Sequence, residues 1–211
     1  MGGLNFIALN FNPDEFWYNG DQVESILFKS LINTLKVKHV PILLPHDLSI
    51  GKKISGVDVK VLHPIKNGDE ALSNSVSKRL NNNSLVIKLS YNGKSFLFPG
   101  DIEISGEKKL FQNAESELKS DILLVPHHGS KNSCSDNFLK AVRPKISIIS
   151  SGRDNHFGFP DDELLERLGK SKCLIFRIDK MGSIKFSVDK YKINMKSYLD
   201  SPTDKLILQG G

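Results

Sequence analysis

The sequence predicts an α/β fold in which helices cover mixed sheets. Three observations carry that expectation. Two β-rich runs flank Asn92-Gly93. Two short, continuous apolar runs, residues 121–126 and 145–150, are separated by a short helical stretch. A further helical segment with acidic residues in its first turn follows at 160–170. Continuous apolar strands alternating with helices are the mark of a sheet buried on both faces.

The elements follow in order. Residues 4–11 mix apolar and polar residues in near-alternation and predict a strand, with Asn12-Pro13-Asp14 as a turn. Residues 21–36 carry Val23, Ile26, Leu27, Leu31, Ile32 and Leu35 at helical spacing, with Asp21 placed to cap the helix. VPILL and VDVKVLHP (57–64) read as short strands, and the glycine-containing stretch between them carries a turn. Residues 65–83, rich in Asn and Ser, read as a loop with room for a helical turn. Asn92-Gly93 readily adopts the positive φ values of a two-residue hairpin turn. Residues 102–113 are helix-like, 121–126 a buried strand, 136–144 a helix stopped by Pro144, and 145–150 a second buried strand. Pro160 opens the helix at 160–170. CLIFRI and SIKFSV are expected to pair around Met181-Gly182. The expected organisation is one domain over 1–190 and a C-terminal tail over 191–211.

Composition bounds the function. With 211 residues, 39% of them hydrophobic, the chain suits a single globular domain with its own core. No stretch approaches the ~20 apolar residues of a membrane-spanning helix. The N-terminus lacks a basic n-region, so a cytoplasmic setting is the default expectation. Cys134 and Cys173 lie far apart and form neither a disulfide framework nor a zinc knuckle. The net charge of +5 is compatible with a phosphate-rich partner, but the lysines are spread along the chain, so charge alone does not establish nucleic-acid binding.

Polar groups concentrate after the strands. Asp101 follows one, His127-His128-Gly129-Ser130 the next, and Ser150, Ser151, Asn155 and His156 the third. Ligands of α/β proteins collect in the crevice outside strand ends. A carboxylate and imidazoles there suit zinc or manganese, which lower the pKa of a bound water. Each residue also has a plainer reading. Gly-Asp after a strand is often a turn or a helix cap. Ser130 and Ser133 are either phosphate contacts or turn residues. His39, His46 and His63 sit among apolar residues and read as structural. Cys134 has no activating base beyond the neighbouring histidines, which leaves a thiol nucleophile a minor alternative.

The strings NNNSLVIKLSYNGKSFLFPGDIE, SDILLVPHHGSKNSCSDNFLKAVRPKISIISSG and DNHFGFP resemble the second half of the metallo-β-lactamase domain of ComEC-type competence proteins. The resemblance covers residues 81–185 well. It implies a metallo-β-lactamase-type αββα sandwich and a metal-dependent hydrolase acting on DNA or another phosphodiester, linked to DNA uptake. Zinc or manganese is the implied cofactor. A membrane channel protein is an implied partner, which would make the chain membrane-associated. The resemblance makes Asp101 a metal ligand and catalytic residue, His127 a metal ligand, and His128 a catalytic, substrate-facing residue. Ser130, Asn155 and His156 become substrate-binding candidates. Two departures stand out. The family's His-x-Asp/His-x-Asp-His motif is absent, and Met1-Gly2-Gly3-Leu4 looks like the segment that follows it. The expectation is therefore an incomplete sandwich lacking the first half of the metal motif, weak or inert alone, with a non-catalytic DNA-binding or scaffold module as the alternative. Second, Phe159 stands where the family's Asn-x-Tyr/Phe-Gly-His-Pro segment has histidine.

Overall fold

The chain is described from a computed structural model covering residues 2–21, 23–65, 80–199 and 207–209. Its first element departs from expectation. The alternation over residues 4–11 predicts a strand, but the chain forms helix α1 (Gly2–Asn10). Leu4, Ile7, Ala8 and Phe11 also fall at helical spacing, so the segment carries both periods. Packing decides between them. Ala8 is buried with Leu31 and Leu35, and Asn5 Nδ2 donates to the Leu27 carbonyl. Phe6, Leu9 and Phe11 stay exposed.

Strands β1 (Phe16–Trp17) and β2 (Ile42–Leu43) pair in parallel around helix α2 (Ile26–Val37). The helix begins at Ile26 rather than at Asp21. Asp21 does not cap it, because its carboxylate accepts from the side-chain amides of Asn19 and Asn83. Ser25 takes the cap position. After α3 (Pro45–Leu48) come β3 (Lys52–Ile54) and β4 (Val57–His63), joined by the expected turn at Ser55-Gly56. The loop read over 65–83 lies mostly outside the described residues, and it closes on a 3₁₀ turn, Asn81–Asn83.

Strands β5 (Val86–Tyr91) and β6 (Lys94–Phe98) form the predicted hairpin. Tyr91 pairs with Lys94, and Asn92 and Gly93 have φ of 49° and 71°. Both central residues of a type I′ turn require positive φ, which Asn-Gly supplies. The chain then alternates through α4 (Ile104–Ala114), β7 (Ile122–Leu124), α5 (Asp136–Val142), β8 (Ile146–Ile149), α6 (Asp162–Lys170) and β9 (Leu174–Arg177). These strands make one seven-stranded sheet in the order β3-β4-β5-β6-β7-β8-β9. It is antiparallel from β3 to β6 and parallel from β6 to β9. The C-terminal ends of β6, β7 and β8 therefore open on the same edge.

The expected pairing of CLIFRI with SIKFSV does not form. β9 pairs with β8. A short helix, α7 (Ile178–Met181), and Gly182 then carry the chain to a second sheet. There β10 (Ile184–Val188) pairs with β11 (Lys192–Ser197), which pairs with β12 (Ile207–Gln209). Gly182 has φ of +68°, and a Cβ on it would lie 2.8 Å from Leu199 Cγ, so a side chain at this crossing would be strained and would have to displace Leu199. The stretch after residue 191, read as a tail, thus holds the central strand of the second sheet.

Two packed layers flank the large sheet. Leu110, Phe138, Val142, Leu164 and Leu168 of the helices close on Leu97, Leu123 and Ile149. On the other face, Ile122 and Ile146 meet Ile193, Phe186 and Val188 of the second sheet. Helices on one side and a second sheet on the other give the α/β sandwich expected from the sequence, with only the large sheet mixed and the second sheet antiparallel. Among the described residues no helix is long and apolar enough to cross a membrane.

Candidate functional site

The parallel strands deliver the candidate residues to one edge, and local backbone chemistry sets their aim. The Asn-Ser segment before β5 forms the floor. Asn82 Oδ1 accepts from the backbone N–H groups of Glu103 and Gly106. Ser84 Oγ accepts from Asp101 N. Gly100 is needed between them: its φ is +62°, and a Cβ there would lie 2.9 Å from Ser84 Cβ. The Gly-Asp turn thus holds Asp101 out of the strand rather than capping a helix, and α4 begins only at Ile104.

The His-His-Gly-Ser turn is tied to this floor by His127 N donating to the Gly100 carbonyl at 3.1 Å. His127 and His128 both have left-handed backbones, with φ of 51° and 54°. Such conformations in non-glycine residues cost about 1–3 kcal/mol each and cluster at functional sites. Gly129 follows at φ +94°, packed directly under Pro160.

The two histidines have different partners. His128 Nε2 lies 3.7 Å from Asp101 Oδ1. Its Nδ1 sits 2.8 Å from the Ser150 carbonyl. A carbonyl only accepts, so Nδ1 carries the proton and the ring is fixed in orientation. Nε2 then faces the Asp101 carboxylate across a gap open to solvent. His127 Nδ1 lies 3.6 Å from Glu103 Oε1, too long for a hydrogen bond. That nitrogen is buried without a hydrogen-bond partner. Glu103, which the sequence reading passed over, stands two residues after Asp101 in the same Gly-Asp-Ile-Glu string.

The other candidates divide. Ser130 is 3% exposed, and its hydroxyl accepts from Asn132 N. It serves the turn and faces away from solvent. Ser133 Oγ reaches the carbonyls of Pro126 and Ser130 inside the same loop. Asn155 is spent on its own loop: Nδ2 donates to the carbonyls of Gly152 and Phe159, and Oδ1 accepts from Phe159 N. His156 lies over Phe157 with ring centroids 3.9 Å apart. Phe159, in place of histidine, packs edge-on against His127. Cys134 is fully buried, and burial pushes its thiol well above the ordinary value, with Glu107 adding to the rise. A thiolate nucleophile does not fit that position.

Two buried groups brace the site. Glu107 accepts from the backbone N–H groups of Cys134, at 2.5 Å, and Ser135, at 3.1 Å. Burial raises its carboxyl above the ordinary range against those donors and Arg167. His63 is 2% exposed, and its Nε2 donates to the Asn82 carbonyl. Burial holds its pKa below 6.5. His63 is thus the structural residue expected. A histidine kept neutral by burial contributes stability that is present above its unfolded value and lost as pH falls below it. Wild type is therefore expected to lose stability below about pH 6.5. In urea titrations His63→Gln, which does not titrate, should show a shallower decline over that window. Identical slopes would exclude the histidine as the source.

The zinc or manganese implied by the resemblance meets an incomplete donor set. Among the described residues no group of three or more His, Cys, Asp or Glu converges. Catalytic zinc usually takes three protein ligands and a water. The Asp101–His128 and Glu103–His127 pairs do not by themselves fit such a site.

Comparison with known proteins bears on this arrangement. The family described as metallo-beta-lactamase superfamily matches residues 13–153. ComE operon protein 3 of Bacillus subtilis (strain 168) is 36% identical over 106 residues, 50% of this chain and 14% of that protein. Competence protein ComA of Neisseria gonorrhoeae is 31% identical over 135 residues, 63% of this chain and 18% of its own length. Recombination protein 2 of Haemophilus influenzae is 37% identical over 131 residues, 61% of this chain and 16% of its own length. The matched stretches thus span less than a fifth of these relatives.

Proposed function

This chain belongs to the metallo-beta-lactamase superfamily, and on that premise we propose that it hydrolyses phosphodiester bonds, with DNA as substrate and DNA uptake as the setting. The observation that carries the reading is that Asp101 and His128 stand 3.7 Å apart, just beyond hydrogen-bond reach, at the open edge of the parallel strands. His128 Nε2 takes the proton of an attacking water, and solvent protonates the leaving oxygen on the opposite, in-line side of the phosphorus. The Ser150 carbonyl holds the ring in the tautomer this requires. The Asp101 carboxylate stabilises the imidazolium that forms. Kinship with proteins named for competence and recombination supports DNA as the substrate class. Superfamily members usually bind divalent metals, but the described residues bring no three donors together, so no step here is routed through one.

The short donor set supports a second reading, a DNA-binding or scaffold module without chemistry. One assay separates them. The chain is incubated with a labelled DNA strand and manganese or zinc, and both cleavage and binding are followed. Hydrolysis predicts cleavage that His128→Ala lowers by about 10²- to 10⁴-fold, the usual contribution of a positioned acid–base group. Salt-dependent binding with no cleavage would overturn it in favour of the module.

A further inference from the structure

The helix layer carries a groove that the hydrolytic reading does not use. It lies between α5 and α6, has a volume of about 400 Å³, and is floored by Leu139 and Pro144. Lys140, Arg143, Arg167 and Lys170 line it, against one carboxylate, Asp136. Arg167 is fixed in its wall. Its Nη2 donates to the Lys131 carbonyl at 2.6 Å, and its Nε is buried without a hydrogen-bond partner. The other three cations are exposed. Among the described residues their side chains have no ion pair or hydrogen bond.

Two plainer readings fall short. Cations in the last turn of a helix offset the negative end of its dipole, and Lys140, Arg167 and Lys170 do stand in last turns. That effect does not depend on which side of a helix carries the charge, yet the cations of both helices line the groove they share. Surface lysines are also ordinary, but in the other lysine-lined groove of this chain they are neutralised. There Lys52 pairs with Glu15, Lys53 with Asp58 and Lys60 with Glu117. The groove between the helices also leads from the site. α5 follows the His127-His128 turn along the chain. α6 is tied to the same turn, with Asp161 N donating to the Gly129 carbonyl and Lys131 N to the Asp161 carboxylate. The exposed cations lie farther along, at the ends of α5 and α6. Over its length α5 rises about 10 Å, the axial rise of about three nucleotides of one DNA strand.

We propose that the groove between α5 and α6 is a second phosphate-binding site, which holds the backbone of DNA away from the reacting bond. The inference rests on the phosphodiester reading and deepens it, since it gives the substrate a second hold on the chain. Lys140, Arg143 and Lys170 take the phosphates, and Leu139 and Pro144 give the sugars an apolar floor. Phosphate contacts fix the register and orientation of a strand and carry no sequence information. The groove therefore positions DNA without choosing its sequence.

The test compares wild type with two triple variants of equal charge loss, by fluorescence anisotropy with a labelled DNA strand over a range of salt. Lys140→Gln/Arg143→Gln/Lys170→Gln strips the groove of its exposed cations. Lys185→Gln/Lys190→Gln/Lys196→Gln removes three exposed lysines of the second sheet and its turn, across the large sheet from the helices. Each phosphate contact on a single strand contributes about 0.7 to the slope of log K against log salt, so three contribute about 2. The groove variant should lose that slope and bind about 100-fold more weakly at about 0.1 M salt. The control variant should stay close to wild type. Losses in the control as large as in the groove variant, or a groove variant that binds like wild type, overturn the second site and leave hydrolysis at Asp101 and His128 standing. Groove-dependent binding with no cleavage in manganese or zinc keeps the second site and overturns the hydrolytic reading. A wild-type chain that binds no DNA overturns both.

Discussion

Gly129→Ala is expected to be among the most damaging single substitutions in the chain. The residue sits at φ +94°, where a side chain is strained. Its new Cβ would also lie 2.6 Å from Pro160 Cβ, 3.0 Å from Pro160 Cα and 3.2 Å from Ile149 Cγ2. Two of these are ring or backbone atoms that cannot swing aside. Strain and overpacking together are expected to cost about 4 kcal/mol. For a domain of this size that corresponds to a fall in Tm of roughly 8–16 °C. The backbone must shift next to His127-His128, and a displacement of about 1 Å at a catalytic group costs on the order of 10²-fold in rate. Gly158→Ala is the control. Its φ is +70°, but nothing lies within 4 Å of the added Cβ, so only the strain of about 1 kcal/mol applies. Thermal melts of the two variants should differ by several degrees. Equal melting temperatures would mean that Pro160 does not press on the turn.

Glu107→Ala is expected to follow closely. The carboxylate is wholly buried and satisfies the backbone N–H groups of Cys134 and Ser135 at the start of α5. Truncation removes the acceptor of both donors, that of Cys134 fully buried, at a cost of about 3 kcal/mol. Glu107→Gln keeps one acceptor and should lose less. The pH dependence carries a definite sign. The folded carboxyl titrates above its unfolded value of 4.5. Its contribution is therefore full below pH 4.5 and diminishes as pH rises through the folded pKa. The deficit of Glu107→Gln relative to wild type should be largest near pH 4.5 and narrow toward neutrality. A deficit that widens instead would mean that the ionised form is the one the fold prefers.

Much of the site was legible because its signals are local. Asn92-Gly93 fixes a turn by its own backbone preferences, and the run 121–126 announces a buried strand ending at His127-His128. What was not legible depends on partners remote in sequence. Helix α1 exists because Ala8 packs on α2, which no pattern within residues 4–11 reveals. Asp21 leaves the cap of α2 because Asn83, far along the chain, takes its carboxylate. β10 leaves β9 because Ile193, in a stretch of weak periodicity, completes the apolar layer under Ile122 and Ile146. The same limit applies to the histidines. That both stand at the strand end follows from the sequence. That His128 meets Asp101 while His127 turns to Glu103 follows from two left-handed residues in succession.

The proposal centres on Asp101 and His128 acting as one unit on a phosphodiester. The direct measurement is a double-mutant cycle on the rate of DNA cleavage, comparing Asp101→Ala, His128→Ala and the double variant. Residues that act as a unit show strongly non-additive losses. The account predicts that the double variant is scarcely slower than the worse of the two single variants. Losses that multiply, or a wild-type chain that binds DNA and never cuts it, would contradict the account.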